Sequence, residues 1–211
     1  MKIIAHRCGT DRYPALTLEA ALHSLALGAD AVEMDLRYTR DLRPVICHDR
    51  DKQSLYPGAQ GLEEMLLGVP GPILLHVKEG GEQMPALLRL LREHNRENDV
   101  IPGVASVEDL CQVKRFNPAM QVLAFLPSPE SAREFVSHGA DILRLWEQWA
   151  SEATTKQTQS LGKPVWIMAR GLRGTGCTGR KNLLLWQRLG VDGVLVNDVG
   201  RTISILQETQ P

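Results

Sequence analysis

The chain has 211 residues, a formal net charge of −1 at neutral pH, 43% hydrophobic residues and 23% charged residues. This length suits a single α/β barrel. The charge gives no basic excess for a nucleic-acid backbone, and no apolar run is long enough to span a bilayer. We therefore expect one cytoplasmic domain over residues 1–211, with no nucleic-acid partner and no membrane span; the Met1-Lys2 start shows no leader pattern.

Eight short and mostly continuous apolar runs are typical of parallel strands that are covered on both faces. They are Lys2–His6, Ala31–Arg37, Ile73–Lys78, Val100–Ala105, Gln121–Leu126, Asp141–Leu145, Pro164–Ala169 and Gly193–Asn197. An additional run, Pro44–His48, follows the second strand too closely for a crossover helix, so we expect a hairpin-like extension there.

Helical patterns separate these strands. They cover a helix capped by Thr17 and ending near Gly28, then Gln83–His94, a helix from Ser106 or Glu108 to Phe116, Pro129–His138, Gln148–Leu161, Arg180–Leu189 and Gly200–Glu208. The junctions LGAD (27–30), SHGAD (137–141) and RLGVD (188–192) each end a helix on a glycine and enter a strand through an aspartate. Strict alternation predicts a (β/α)8 barrel, rather than an open sheet with a G-x-G-x-x-G turn.

The four cysteines form no C-x-x-C pair, which argues against a zinc or thioredoxin-like site. We expect Cys8, Cys47, Cys111 and Cys177 to be unlinked, reduced thiols.

Polar residues gather where the first strands end, and that end of a barrel carries the active site. They are His6, Arg7, Glu33, Asp35, His48, Asp49, His76 and Lys78. A same-face carboxylate pair can bind a divalent cation, arginine and lysine suit a phosphate, and two histidines suit acid–base catalysis. The combination points to metal-assisted hydrolysis of a phosphodiester. The rival interpretation of the acidic and basic residues is a set of salt bridges without a metal.

The motifs A-H-R (5–7), LGADAVEMDLRYTRDLRPVICHD (27–49) and V-K (77–78) resemble the glycerophosphodiester phosphodiesterase family. Weaker similarity continues through KPVWIMA (163–169) and LGVDGVLVNDVGRTISIL (189–206). The resemblance implies a barrel fold and hydrolysis of a small-molecule glycerophosphodiester to sn-glycerol 3-phosphate and an alcohol. It implies that His6 and His48 form the acid–base pair, that Arg7 and Lys78 hold the phosphate, and that Glu33, Asp35 and His76 bind Mg²⁺ or Ca²⁺.

The sequence departs from the family pattern at several positions. His76 stands where the family has the glutamate of E-x-K, which makes Mn²⁺ or another transition metal an alternative ion. The P-E-N-T motif reads Pro14-Ala15-Leu16-Thr17. Cys8 stands where the family has a glycine in a turn, and we expect a cysteine to strain a turn that glycine makes freely. The segment between His48 and His76 is shorter than in the family, which favours a more open pocket.

Several interpretations stay open at this point. The glycine-rich stretch 170–182 fits a loop or lid better than a phosphate site, and Trp146 and Trp166 are candidates for the pocket wall. Two rival functions are a lysophospholipase D-like enzyme and a barrel that binds a phosphorylated ligand without cleaving it. The sequence does not indicate an oligomeric state.

Overall fold

The computed structural model describes residues 1–49 and 59–208. Eight parallel strands form one sheet, and the pairing of the first two of them along the chain closes it into a barrel. The barrel strands are β1 (Lys2–Ala5), β2 (Ala31–Tyr38), β4 (Ile73–Val77), β5 (Val100–Val104), β6 (Leu123–Phe125), β7 (Ile142–Trp146), β8 (Val165–Met168) and β11 (Gly193–Val196). The (β/α)8 barrel predicted from the sequence is confirmed.

Two hairpins extend the barrel at its carboxyl-terminal end. Strand β3 (Pro44–Ile46) pairs antiparallel with β2, which confirms the predicted extension, although the strand ends at Ile46 rather than at His48. Strands β9 (Arg170–Gly171) and β10 (Gly174–Thr175) form a second, very short hairpin inside the glycine-rich stretch.

Eight helices lie outside the barrel in the described part of the chain. They are α1 (Leu18–Ala26), α2 (Leu62–Gly68), α3 (Met84–Glu93), α4 (Val107–Phe116), α5 (Ala132–Ser137), α6 (Glu152–Gln159), α7 (Arg180–Arg188) and α8 (Val199–Gln207). Helix α2 was not predicted. Helix α6 starts four residues later than expected because Ser151 caps it, its hydroxyl accepting a hydrogen bond from the N–H of Thr154.

The repeated glycine–aspartate junctions have the same structure at each occurrence. Gly28, Gly139 and Gly190 adopt positive φ angles of 103°, 101° and 70°, which end a helix at little cost only for glycine. In each junction the aspartate carboxylate then accepts a backbone N–H from a neighbouring segment: Asp30 from Ile3, Asp141 from Val122, and Asp192 from Val165. These bonds fix the amino-terminal edge of the barrel.

The interior of the barrel is an apolar plug below a polar mouth. The plug consists of Ile4, Ala31, Leu74, Ile101, Leu123, Phe125, Ile142, Trp166, Met168 and Leu195. A second and larger apolar cluster lies between the strands and the helices. Among the described residues, no helix has the length and apolar character needed to cross a bilayer.

Candidate active site

The polar mouth follows from the two-residue period of the strands, because side chains at i and i+2 share a face. Above Ala31 in the plug come Glu33 and Asp35, and above Leu74 comes His76, all pointing into the barrel. The inward positions that continue the other strands are His6 above Ile4, Arg144 above Ile142, and Asn197 above Leu195. Sequence patterns therefore predicted most of this group through strand ends and same-face pairs.

His6 is buried and is held in one tautomer by Asn197. The Asn197 amide nitrogen donates to the carbonyl of Thr175 (3.0 Å), so its oxygen faces His6 Nδ1 at 2.7 Å. His6 Nδ1 is therefore the donor in this pair, and Nε2 carries the lone pair. Burial lowers the pKa of His6 to about 4, with a further lowering from the charge of Arg7. His6 is thus a neutral imidazole at neutral pH.

The turn after β1 is strained. Arg7 and Cys8 have φ angles of 51° and 68°, in the left-handed region that costs an L-residue about 1–2 kcal/mol. The strain expected for Cys8, which replaces a glycine, is confirmed. The turn directs the backbone N–H of Arg7 to Glu33 Oε2 at 2.8 Å, and so ties the end of β1 to the carboxylate on β2.

Two buried carboxylates lie at the centre of the mouth, and their ionisation differs. Asp35 Oδ1 contacts Lys78 Nζ (3.0 Å) and His76 Nδ1 (3.1 Å), and Arg7 Nε lies 3.6 Å from Oδ2. Burial would raise the pKa of Asp35, but the His76 hydrogen bond and the Lys78 charge outweigh it and hold that pKa well below its usual range. Burial, reinforced by Asp35, raises the pKa of Glu33 well above its usual range.

Glu33, Asp35 and His76 fit a divalent cation. Each offers one ligand atom, and these three atoms lie within 4.8 Å of one another. Asp35 Oδ2 is buried and has no hydrogen-bond partner among the described residues, so it is available to a ligand that the protein does not itself supply. Burial lowers the pKa of His76 to about 4, which leaves its imidazole neutral, the form that binds metal.

His48 lies at the rim and is the more exposed of the two predicted acid–base residues. Its Nδ1 is 2.7 Å from Asp49 Oδ1. Its backbone carbonyl accepts a hydrogen bond from Arg37 Nε (2.9 Å), and Arg37 also pairs with Glu79 at 2.7 Å. The charge of His48 lowers the pKa of His6 slightly, so the two rings are electrostatically linked. Arg37 therefore anchors the segment that carries His48.

A third cation, Arg144 on β7, was not predicted. It is 4% exposed, and its guanidinium carbon lies 4.8 Å from the ring centre of Phe125 and 4.2 Å from that of Trp146. The Phe125 ring in turn stacks on His76 with the centres 3.8 Å apart. The available signal was the inward register of Ile142, Arg144 and Trp146, which places a charge inside the barrel.

The two tryptophans proposed for the pocket wall occupy different levels. Trp146 is half-buried at the mouth, where Arg144 and Arg170 both lie over its ring. Trp166 is 3% exposed and belongs to the apolar plug. Contact of either ring with a substrate stays a prediction.

The altered P-E-N-T segment also adopts an unusual backbone. Leu16 has a φ of 62°, a conformation that asparagine tolerates better than leucine. Its N–H donates to the carbonyl of Arg7 at 2.9 Å, while Thr17 caps α1 as predicted by accepting from the N–H of Ala20 at 3.2 Å.

Within residues 49–75, which contain the shortened segment, residues 50–58 lie outside the described part of the chain, so the prediction of a more open pocket is untested there. The four cysteines are unlinked, as predicted.

Known proteins share sequence and fold with this chain. Residues 6–161 match the Glycerophosphoryl diester phosphodiesterase family. A stretch of 48 residues, 23% of this chain, is 44% identical to a glycerophosphodiester phosphodiesterase of Bacillus altitudinis and spans 20% of that protein's length.

Solved structures share the fold at low sequence identity. A phosphodiesterase of Oleispira antarctica, in complex with the product sn-glycerol-3-phosphate, has a TM-score of 0.84 at 16% identity, covering 98% of this chain and 97% of that one. A glycerophosphodiester phosphodiesterase of Thermotoga maritima has a TM-score of 0.74 at 18% identity, covering 96% and 97% of the two chains. These likenesses establish the fold alone. The family match extends over most of the chain, and the protein therefore belongs to the glycerophosphoryl diester phosphodiesterase family.

Proposed function

We propose that the protein hydrolyses small-molecule glycerophosphodiesters to sn-glycerol 3-phosphate and an alcohol. The observation that carries this proposal is the convergence of a neutral histidine, His6, with two carboxylates and the cations Arg7 and Lys78 in one barrel mouth. The fold neighbour from Oleispira antarctica binds the product sn-glycerol-3-phosphate, which supports the same substrate class here.

His6 is the better candidate for the general base and His48 for the general acid. The low pKa of His6, about 4, leaves Nε2 free at neutral pH to accept a proton from the water that attacks phosphorus. His48 Nδ1 lies 2.7 Å from Asp49 Oδ1, which orients its ring, and its place at the exposed rim suits the transfer of a proton to the leaving oxygen. The new P–O bond thus forms as the bond to the leaving alcohol breaks.

Arg7 and Lys78 supply positive charge to the phosphoryl oxygens, because both approach the mouth beside Asp35. Glu33, Asp35 and His76 would hold a divalent cation. When bound, such an ion supplies Lewis-acid polarisation of the phosphoryl group. Two carboxylates favour Mg²⁺ or Ca²⁺, and the imidazole of His76 extends the choice to Mn²⁺.

The test is release of sn-glycerol 3-phosphate from glycerophosphocholine with Mg²⁺, Ca²⁺, Mn²⁺ or EDTA. We expect metal-dependent release that falls by a factor of ~10² or more in His6→Ala and His48→Ala. His138→Ala is the matched control, because His138 is exposed at the end of α5. Product binding without turnover under every condition would instead support a non-catalytic binding barrel.

A lysophospholipid is the second candidate substrate, and the rim of the barrel favours it. Leu172, at the tip of the β9–β10 hairpin, is fully exposed between Arg170 and Arg173, an arrangement suited to an anionic lipid surface. Leu42, at the tip of the β2–β3 hairpin, is 58% exposed. A lipid-directed enzyme turns over lysophosphatidylcholine faster than glycerophosphocholine and loses that preference in Leu172→Ser. An unchanged ratio between the two substrates would contradict this alternative.

A further inference from the structure

Arg144 is a buried cation, and two of its three guanidinium nitrogens have no hydrogen-bond partner in the described part of the chain. Its Nε and Nη1 atoms are buried without an acceptor. Leaving buried donors of a charged group unsatisfied is costly in free energy, so native proteins usually give such groups a partner. Phe125 and Trp146 contact the guanidinium through their rings, and a ring face does not satisfy the in-plane N–H donors.

The position of Arg144 in the barrel is opposite the known site residues. Going around the ring of eight strands, β7 lies four strands from β2 in either direction. Arg144 therefore projects from the wall facing Glu33, and the charge of Glu33 partly offsets the effect of burial on its pKa. That pKa falls only to about 9, so the guanidinium stays charged at neutral pH.

The charges that face the mouth do not balance. Arg7, Lys78 and Arg144 contribute three positive charges, and Glu33 and Asp35 contribute at most two negative ones. Whichever of these carboxylates is protonated, the excess is at least one positive charge inside the rim, which favours a bound anion, and a phosphodiester carries one negative charge.

We propose that Arg144 is a phosphate-binding residue that closes the site from the wall opposite Arg7 and Lys78, and that these three cations bind a phosphate group without a divalent ion. A guanidinium presents its N–H donors in a planar arrangement suited to phosphate oxygens, so a bound phosphate supplies an acceptor that the buried donors of Arg144 lack among the described residues. This inference rests on the proposed function, since it identifies a further contact to the same substrate.

The experiment is calorimetric titration of the full chain with sn-glycerol 3-phosphate, and separately with inorganic phosphate, in buffer containing EDTA. We expect wild type to bind both. We expect Arg144→Gln to weaken binding by a factor of ~10–100, the loss of a charge-assisted bond. Arg144→Lys keeps the charge without the planar guanidinium and should weaken binding by a smaller factor. Arg170→Gln is the matched control, because Arg170 is exposed and contacts the same Trp146 ring.

A second comparison separates a direct phosphate contact from mere neutralisation of Glu33. If Arg144 only balances Glu33, then Glu33→Gln and Glu33→Gln/Arg144→Gln bind phosphate equally well. If Arg144 contacts the phosphate, the double variant stays about tenfold or more weaker than Glu33→Gln.

Equal binding by wild type and a folded Arg144→Lys or Arg144→Gln variant would overturn the inference, and so would an absence of phosphate binding by wild type in EDTA. A protein that binds phosphate through Arg144 but hydrolyses no phosphodiester contradicts the proposed function and leaves this inference standing.

Discussion

Replacing Asn197 with aspartate tests the assignment of His6 as a neutral base. The change keeps the shape of the side chain and puts a carboxylate oxygen 2.7 Å from His6 Nδ1, where an amide oxygen now lies. The new negative charge favours the imidazolium form of His6, so the pKa of His6 rises. A base must be neutral to accept a proton, and activity is therefore lost at low pH sooner in the variant than in wild type.

The size of the effect follows from the geometry. Two unit charges about 4 Å apart interact by about 4 kcal/mol at an effective dielectric constant near 20, which corresponds to about three pH units. Asn197 is half-buried, so part of this is screened, and we expect a rise of about 1–2 pH units from the wild-type pKa of about 4.

The assay is the pH dependence of kcat/KM, with the His6 ring titrated independently by NMR. Wild type should keep most of its activity at pH 5, while Asn197→Asp should lose it progressively below about pH 6. Asn98→Asp makes the same charge change at an exposed position and should leave the profile unchanged. Overlapping wild-type and Asn197→Asp profiles, with the variant folded and active, would refute the reasoning.

Three further changes probe other parts of the account. Arg37→Gln removes the hydrogen bond from Arg37 to the His48 carbonyl. We expect kcat to fall by ~10–100-fold, while the free energy of urea unfolding falls by only about 1 kcal/mol. Equal kcat values in variant and wild type would contradict a positioning role for Arg37. Leu42→Asn relieves a φ of 60° at an exposed turn, so urea unfolding should show a gain of up to about 1 kcal/mol, with kcat/KM for glycerophosphocholine unchanged. A loss of stability would argue against strain there. Asp35→Asn removes a central ligand and should abolish any rise in melting temperature caused by Mn²⁺ or Mg²⁺; a retained rise would place the ion elsewhere.

The sequence predicts the barrel well because its signals are local. Apolar runs, the Thr17 cap and the glycine–aspartate junctions each depend on a few neighbouring residues, and each has the expected structure. Helix α2 was missed because its seven residues follow an uncapped glycine and give too short a periodic pattern. The start of α6 was predicted too early because Glu147–Trp149, which precede it, form a separate helical turn.

The site was predictable where residues lie two apart on one strand or at a strand end, as for Glu33, Asp35 and His76. The site residues that were not predicted are those that reach the others only when the barrel closes. Asn197 meets His6 through the pairing of β11 with β1, although 191 residues separate the two in sequence. Arg144 interacts electrostatically with Glu33 only because the closed barrel places the two on facing walls, and no local sequence pattern indicates this.

The most direct test of the central claim is hydrolysis of glycerophosphocholine in ¹⁸O-labelled water, followed by ³¹P NMR. Attack at phosphorus in the barrel mouth predicts a phosphomonoester resonance that carries the ¹⁸O isotope shift and does not form with His6→Ala. A phosphomonoester without the isotope shift, or equal product from the His6 variant, would contradict the account.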